Sequence, residues 1–248
     1  MIIVKDEKEL VLMRKAGQIV ARTLKEIESE IKVGITTQLL NDKVEKLIIK
    51  MGGIPAFKGY RGYNYATCVS VNEVVVHGIP GIRQLFPGDI VSLDVGVIYN
   101  GFNADKAVTY GMGELAPDIK KLVDTSRECL KLGINQEREE NRLGDISSAI
   151  QEYAEKNGFN VVRDLFGHGI GRNLHEDPLI PNFGTKGDGI KLRKGMTFAI
   201  EPMLNMGTHE IETLDDGWTV VTKDRKWSAH FEDTIVITEN EPEILTRE

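Results

Sequence analysis

Cysteine is scarce: Cys68 and Cys129 are the only two in 248 residues. Two thiols make no disulfide framework, which fits a reducing compartment and predicts a cytoplasmic protein. No apolar run approaches the ~18 residues of a spanning helix. The opening Met1-Ile-Ile-Val-Lys-Asp-Glu-Lys8 also lacks the charged-then-apolar order of a secretion signal. Neither a membrane span nor export is therefore expected. A basic surplus is missing too: 31 Lys and Arg against 38 Asp and Glu leave a formal charge of -7, with no global pull toward nucleic acid or anionic lipid. Several catalytic motifs are absent, namely G-x-G-x-x-G after a strand, G-x-x-x-x-G-K-[ST] and the G-x-S-x-G elbow. H-E-x-x-H fails as well, because His175-Glu-Asp-Pro178 stops at a proline. No linker or low-complexity stretch divides the chain, so residues 1–248 are read as one domain.

What is present is a plan that occurs twice. Leu10, Met13, Gly17, Val20, Leu24, Ile27 and Ile31 alternate steps of three and four, predicting a first amphipathic helix closed by Gly34. Thr36 or Thr37 caps a second, with Leu40, Val44, Leu47 and Met51 on one face and Gly52-Gly53 as its stop. Strand patterns follow from Ala66, at Val74–His77 and from Ile90 to Gly96. Tyr99-Asn-Gly-Phe102 then signals a two-residue hairpin, since Asn-Gly suits the positive φ angles of a type I′ turn. With Tyr99 facing Phe102, partners sum to 201, so Gly96 faces Asp105 and Asp94 lies diagonal to it on the same face, at roughly 7 Å. Another helix opens at Pro117, and a fourth is capped by Asp145 and ends by Gly158. Gly195 to Glu201 echoes Gly88 to Asp94, and a turn at Asp216-Gly217 puts partners at a sum of 433, which would set Glu201 opposite Glu232 across a ladder interrupted by Pro202 and Gly207. The expected fold is α+β: two similar halves packing strands into one curved antiparallel sheet, helices outside, acids inside. Val91, Leu93 and Val95 alternate with Ser92, Asp94 and Gly96 accordingly.

Asp94, Asp105, Glu201 and Glu232 interrupt apolar strands, where an ionised carboxylate is costly unless paired or bound to metal. Between them lies Phe166-Gly-His-Gly-Ile-Gly-Arg-Asn-Leu-His-Glu-Asp-Pro178, too glycine-rich for a helix. If that stretch is extended, His168 and His175 point to opposite faces, one toward metal and the other toward substrate. Four carboxylates carry -4, which two divalent ions neutralise. A hard ligand set of this kind suits Mn, Fe(II), Co or Zn, whose bound water is the nucleophile of hydrolytic chemistry.

These residues carry a resemblance. Asn72-Glu-Val-Val-Val-His-Gly-Ile-Pro80, Leu93-Asp94 with Asn103-Ala-Asp105, Gly167-His-Gly-Ile-Gly171 with His175-Glu-Asp-Pro178, Ile200-Glu-Pro-Met203 and Phe231-Glu-Asp-Thr234 resemble type I methionine aminopeptidases of the short bacterial kind. The resemblance implies the pita-bread fold of two pseudo-symmetric halves and removal of initiator methionine when the second residue is small. It implies Asp94 as ligand of one metal, Asp105 and Glu232 as bridges, and His168 and Glu201 as ligands of the other. Glu201 is also the implied general acid/base, His77 the group near the scissile nitrogen, and His175 the donor to the substrate carbonyl. Tyr60, Tyr63, Cys68, Leu174 and Trp218 match the methionine pocket, with Phe57 beside them. Leu174 and Asp233 depart from the family's commoner residues, aromatic and histidine respectively. The implied partners are nascent-chain N-termini, with a transient ribosome contact at most, no membrane, no nucleic-acid specificity and a monomeric state. A non-catalytic binding protein on this fold and an Xaa-Pro aminopeptidase are the alternatives. His209 and His230 are given no role in the chemistry, although His230, two residues before Glu232, is expected on the same face, where it could support the ligands.

Overall fold

The computed structural model describes residues 2–247. Asp6 starts the first helix, α1 (Glu7–Glu28): its carboxylate accepts the Glu9 N–H at 2.9 Å, while the Glu9 side chain accepts the Asp6 N–H at 3.1 Å. The helix stops one turn before Ile31, because the Ile31 N–H reaches back only three residues, to Glu28, and tightens the end. Thr36 caps α2 (Thr37–Lys50), whose fully buried face runs through Leu40, Val44 and Ile48, with Leu47 and Met51 half-buried against the same core. The strands of this half are β1 (Ile54–Pro55), β2 (Cys68–Val71), β3 (Val74–Val76), β4 (Ile90–Tyr99) and β5 (Phe102–Gly111).

The second half opens with α3 (Pro117–Ile134) and α4 (Leu143–Lys156). Asp145 does not cap α4. It lies inside the first turn, where its carboxylate accepts the N–H of the capping residue Arg142 at 2.7 Å, and Arg142 is itself pinned by a bridge to Lys191. There follow β6 (Asn160–Val161), β7 (Gly167–Gly169), β8 (Glu176–Ile180), β9 (Thr197–Ile200), β10 (Met203–Asn205), β11 (Ile211–Thr213), β12 (Val220–Thr222), β13 (Ser228–His230), β14 (Asp233–Val236) and β15 (Glu243–Ile244).

Every strand pairing among the described residues is antiparallel. The β4–β5 hairpin keeps the expected register over its whole length, Tyr99 with Phe102 and Gly96 with Asp105, around Asn100 and Gly101 at φ 46° and 83°. In the second half one register runs through three short ladders, β9–β14, β10–β13 and β11–β12, with partners such as Ile200 and Asp233, Met203 and His230, and Ile211 and Thr222 all summing to 433. The ladder is broken at Pro202 and Gly207, as expected: the first removes a donor. A Cβ at Gly207 would collide with the Asp224 side chain at 1.7 Å.

α1 and α2 bury Val91, Leu93, Val95 and Val97 of β4, each contributing roughly 1.5–3 kcal/mol on burial. α3 and α4 do the same for Phe198, Ile200 and Leu204. The opposite face of both ladders turns inward. The halves meet along β5 and β14, and here threonine side chains stand in for part of the backbone ladder. Thr234 Oγ1 accepts the Asp105 N–H and donates to the Asp105 carbonyl, both at 2.8 Å. Thr109 Oγ1 does the same for His230, at 3.1 and 2.7 Å. Between them the Glu232 N–H donates to the Ala107 carbonyl at 2.9 Å, and Lys106 pairs with Asp233. The curved surface is thus hydrogen-bonded as separate sheets joined at a seam.

Candidate metal centre and substrate cleft

β4 carries Asp94 and β5 carries Asp105 on their shared inner face, with Asp105 opposite Gly96 and so diagonal to Asp94. Glu201 follows β9 and Glu232 precedes β14, both at the break where Pro202 interrupts the ladder. One ligand atom each from Asp105, His168 and Glu232 lies within 4.8 Å of the others, all three residues buried. His168 donates Nδ1–H to the Gly169 carbonyl at 2.9 Å, which leaves the Nε2 lone pair facing the cleft, 3.6 Å from Glu201 Oε1. Asp94 and Glu201 lie outside that compact triple but line the same cavity.

Electrostatics show what the cluster lacks. Burial first, and the neighbouring carboxylates second, push Asp94, Glu201 and Glu232 well above the usual range. Burial raises Asp105 to about 6, although hydrogen bonds from Asp94 and the Lys106 N–H oppose the rise. Asp94 Oδ1, Asp105 Oδ1 and Glu232 Oε1 are buried without a hydrogen-bond partner. Burial also lowers His168 to about 4, so its ring is neutral at pH 7 and able to ligate. Orphaned acceptor oxygens beside a neutral imidazole with a free lone pair fit cations, and hard ones.

The rim of the same cavity, about 140 Å³, is made of Phe57, Tyr60, Arg61, Tyr63, Cys68, His77, Leu174, His175 and Trp218. Trp218 is delivered by the Asp216-Gly217 turn, whose Asp216 carboxylate accepts the N–H groups of Trp218 and Thr219, both at 2.8 Å. Its indole meets the Tyr63 ring edge-on at 5.0 Å and His77 at 6.4 Å. Burial lowers the His77 pKa and raises that of the Cys68 thiol, so both are neutral here. His175 stacks on Tyr60 at 5.2 Å, and its Nδ1 lies 2.8 Å from the Tyr60 hydroxyl.

The two loop histidines do not point apart. Their ring centroids are 4.2 Å apart, tilted by 45°, because β7 and β8 form an antiparallel hairpin with a bulge after His168 instead of one extended run. Gly169 permits this fold-back, since a Cβ there would sit 2.1 Å from the Asp177 carbonyl oxygen. His168 is buried and His175 exposed, so the two still face different surroundings.

The model of metallopeptidase family M24 matches residues 11–239. A methionine aminopeptidase of Clostridium perfringens is 52% identical over 246 residues, 99% of each chain, and methionine aminopeptidase 1 of Bacillus subtilis is 51% identical over the full length of both. The chain belongs to metallopeptidase family M24, among the methionine aminopeptidases. The crystal structure of the Thermotoga maritima methionine aminopeptidase superposes with a TM-score of 0.98 at 52% identity, over 100% of both chains. A prolidase of Pyrococcus furiosus shares the fold alone, with a TM-score of 0.82 at 24% identity, this chain covering 66% of it.

Three further features of this M24 metallopeptidase cleft follow from the geometry. Arg61 lines it, its guanidinium 5.4 Å from the Tyr60 ring centre, and the signal was its place between Gly59 and Gly62 in the tyrosine-bearing loop. His230 lies behind the acids, a position that its parity with Glu232 already implied. The second acids of the two halves are also not register equivalents. Asp105 faces Gly96, diagonal to Asp94, whereas the 433 register sets Glu232 directly opposite Glu201. His209 is not among the cleft-lining residues.

Proposed function

We propose that this chain removes the N-terminal methionine of new polypeptides whose second residue is small, by hydrolysis assisted by two divalent ions. The observation that carries the reading is a cluster of four carboxylates and one imidazole, three of the acids each keeping a partnerless buried oxygen, at the floor of a ring-lined cleft. A charge of -4 is balanced by two divalent ions, and Co, Mn, Fe(II) or Zn suits these donors. Asp94 would hold one ion, His168 and Glu201 the other, with Asp105 and Glu232 between them. The chemistry supplied by bound ions is a lowered water pKa and a polarised peptide carbonyl.

The remaining work falls to the chain. Glu201 accepts the proton of the attacking water and returns it to the departing amine. With the Tyr60 hydroxyl donating to Nδ1, His175 carries its proton on Nε2 and donates it to the substrate oxygen as negative charge develops. One edge of the His175 ring is open to solvent, but desolvation of the rest of it against the cleft wall, with His168 and Arg61 beside it, lowers His175 to about 3, so it acts as a neutral donor. His77 serves the scissile nitrogen. Tyr60, Tyr63, Cys68, Leu174 and Trp218 receive the methionine side chain, the thioether lying against ring edges. The chain acts as a single catalytic unit, a monomer in the cytoplasm, on nascent N-termini, with any ribosome contact transient. No described helix is long and apolar enough to cross a membrane. A non-catalytic relative would be expected to have lost ligands, and all five are present.

The test uses protein purified without added metal. Met-Ala-Ser hydrolysis should appear with added Mn, Co, Fe(II) or Zn and vanish with EDTA, while Met-Leu peptides are poor substrates. Turnover that survives chelation would remove the metal mechanism, and a preference for Ala-Pro peptides would favour the Xaa-Pro alternative.

A further inference from the structure

His230 is 2% exposed, and its Nε2 has no hydrogen-bond partner. Its ring faces two glutamates: Nε2 lies 3.7 Å from Glu201 Oε2 and 3.9 Å from Glu232 Oε2. The other oxygen of Glu201 faces His168 at 3.6 Å, so an imidazole flanks each side of that carboxylate. The main chain of His230 cannot drift, because Thr109 Oγ1 holds both its N–H and its carbonyl.

Register explains how the ring comes to be there. Gly195 and Glu201 stand in the second half where Gly88 and Asp94 stand in the first, both glycines at positive φ. Asp105 faces Gly96, two residues beyond Asp94; His230 faces Met203, two residues beyond Glu201. His230 therefore occupies in its half the position that Asp105 occupies in the other, diagonal to the principal acid and on the inner face. An acid there would add a fifth carboxylate to a cluster that already repels itself, whereas a neutral imidazole adds a donor.

We propose that His230 is a positioning residue of the centre, its Nε2–H donating to Glu201 Oε2 and holding that carboxylate in the orientation from which it exchanges protons with water and amine. This rests on the reading of Glu201 as acid/base. The donor role is favoured over metal ligation because Nε2 sits on the Glu201 side away from His168, outside the compact group of ligand atoms formed by Asp105, His168 and Glu232. Shortening the 3.7 Å separation to hydrogen-bond length takes a shift of about 0.5–0.8 Å.

His230→Leu and His230→Gln separate the possibilities, since glutamine keeps an N–H donor and leucine keeps only bulk. The measurements are kcat and KM on Met-Ala-Ser at saturating Mn2+, Mn2+ affinity by calorimetry, and the melting temperature of each variant. His230→Leu should lower kcat by roughly tenfold to a hundredfold, the range of one charge-assisted hydrogen bond. KM and Mn2+ affinity should stay within about threefold, and His230→Gln should recover most of the loss. Normal kcat in His230→Leu, beside an inactive Glu201→Gln, would overturn this proposal alone. Equal loss in both His230 variants with Mn2+ bound at least tenfold more weakly would make His230 a ligand and overturn the positioning role. Normal turnover in Glu201→Gln would overturn the acid/base reading, and this proposal with it.

Discussion

Replacing Asp105 by asparagine should make the metal-free protein more stable while destroying its response to metal. Asp105 is 4% exposed, and its pKa is raised from 3.8 to about 6, chiefly by burial. A carboxyl whose folded pKa is raised opposes folding once it ionises. The penalty is absent below the unfolded value near 3.8, grows through the window up to about 6, and is complete above it. Its full size is about 3 kcal/mol. At pH 7.5 the whole of it applies, and at pH 4.5 only about 1 kcal/mol does. For a chain of this length about 2–4 °C accompanies each kcal/mol, so Asp105→Asn in EDTA should melt roughly 6–12 °C higher than the parent at pH 7.5 and only a few degrees higher at pH 4.5. Comparing variant with parent at each pH cancels the opposite trend of His168, His175 and His230, whose lowered values favour folding as pH rises toward neutrality. Differential scanning calorimetry with and without Mn2+ measures all of this. An asparagine variant no more stable than the parent at pH 7.5 in EDTA, or one still stabilised by Mn2+ as strongly as the parent, would refute the reasoning.

Two further contacts test how the site is supported. Lys5 and Glu176 form an ion pair at 2.5 Å with both side chains nearly sealed from solvent, so Lys5→Met should cost about 3–5 kcal/mol by leaving the Glu176 charge buried alone. Adding Glu176→Gln should return part of that loss in a denaturant titration, and a fully additive double variant would dismiss the pair. Thr234→Val keeps shape but removes both hydrogen bonds to the Asp105 backbone. It should lower stability by about 1–3 kcal/mol and weaken Mn2+ binding in calorimetry; unchanged binding would mean that the seam does not set the position of Asp105.

Much of this fold was legible wherever local chemistry decides geometry. Asn100-Gly101 fixes the β4–β5 register, and through it the shared face of Asp94 and Asp105. The Asp216-Gly217 turn carries its register across two interruptions to Ile200 and Asp233. Thr36 and Gly52 bound α2 as caps do. What escaped depends on contacts between distant segments. The Asp145 error arose because a residue inside the first turn and a capping residue look alike in sequence when the true cap, Arg142, is fixed by Lys191. The histidine rings were expected to diverge because parity holds along one strand and fails across a bulged hairpin. His230 was visible by parity with Glu232, but nothing local said that its imidazole would lack a partner.

The seam between β5 and β14 has a consequence for the order in which the molecule matures. Its contacts are reciprocal, Thr109 with His230 and Thr234 with Asp105, like the self-complementary patch of a two-fold dimer made within one chain. Asp94 and Asp105 come from one side of it and His168, Glu201 and Glu232 from the other, so neither half alone presents the full set of proposed donors. Joining them closes a loop of more than 100 residues, the slow kind of step in a chain of high contact order. On the proposed donor set, metal capture should therefore report the completion of folding, the centre forming only after strand β14 has docked.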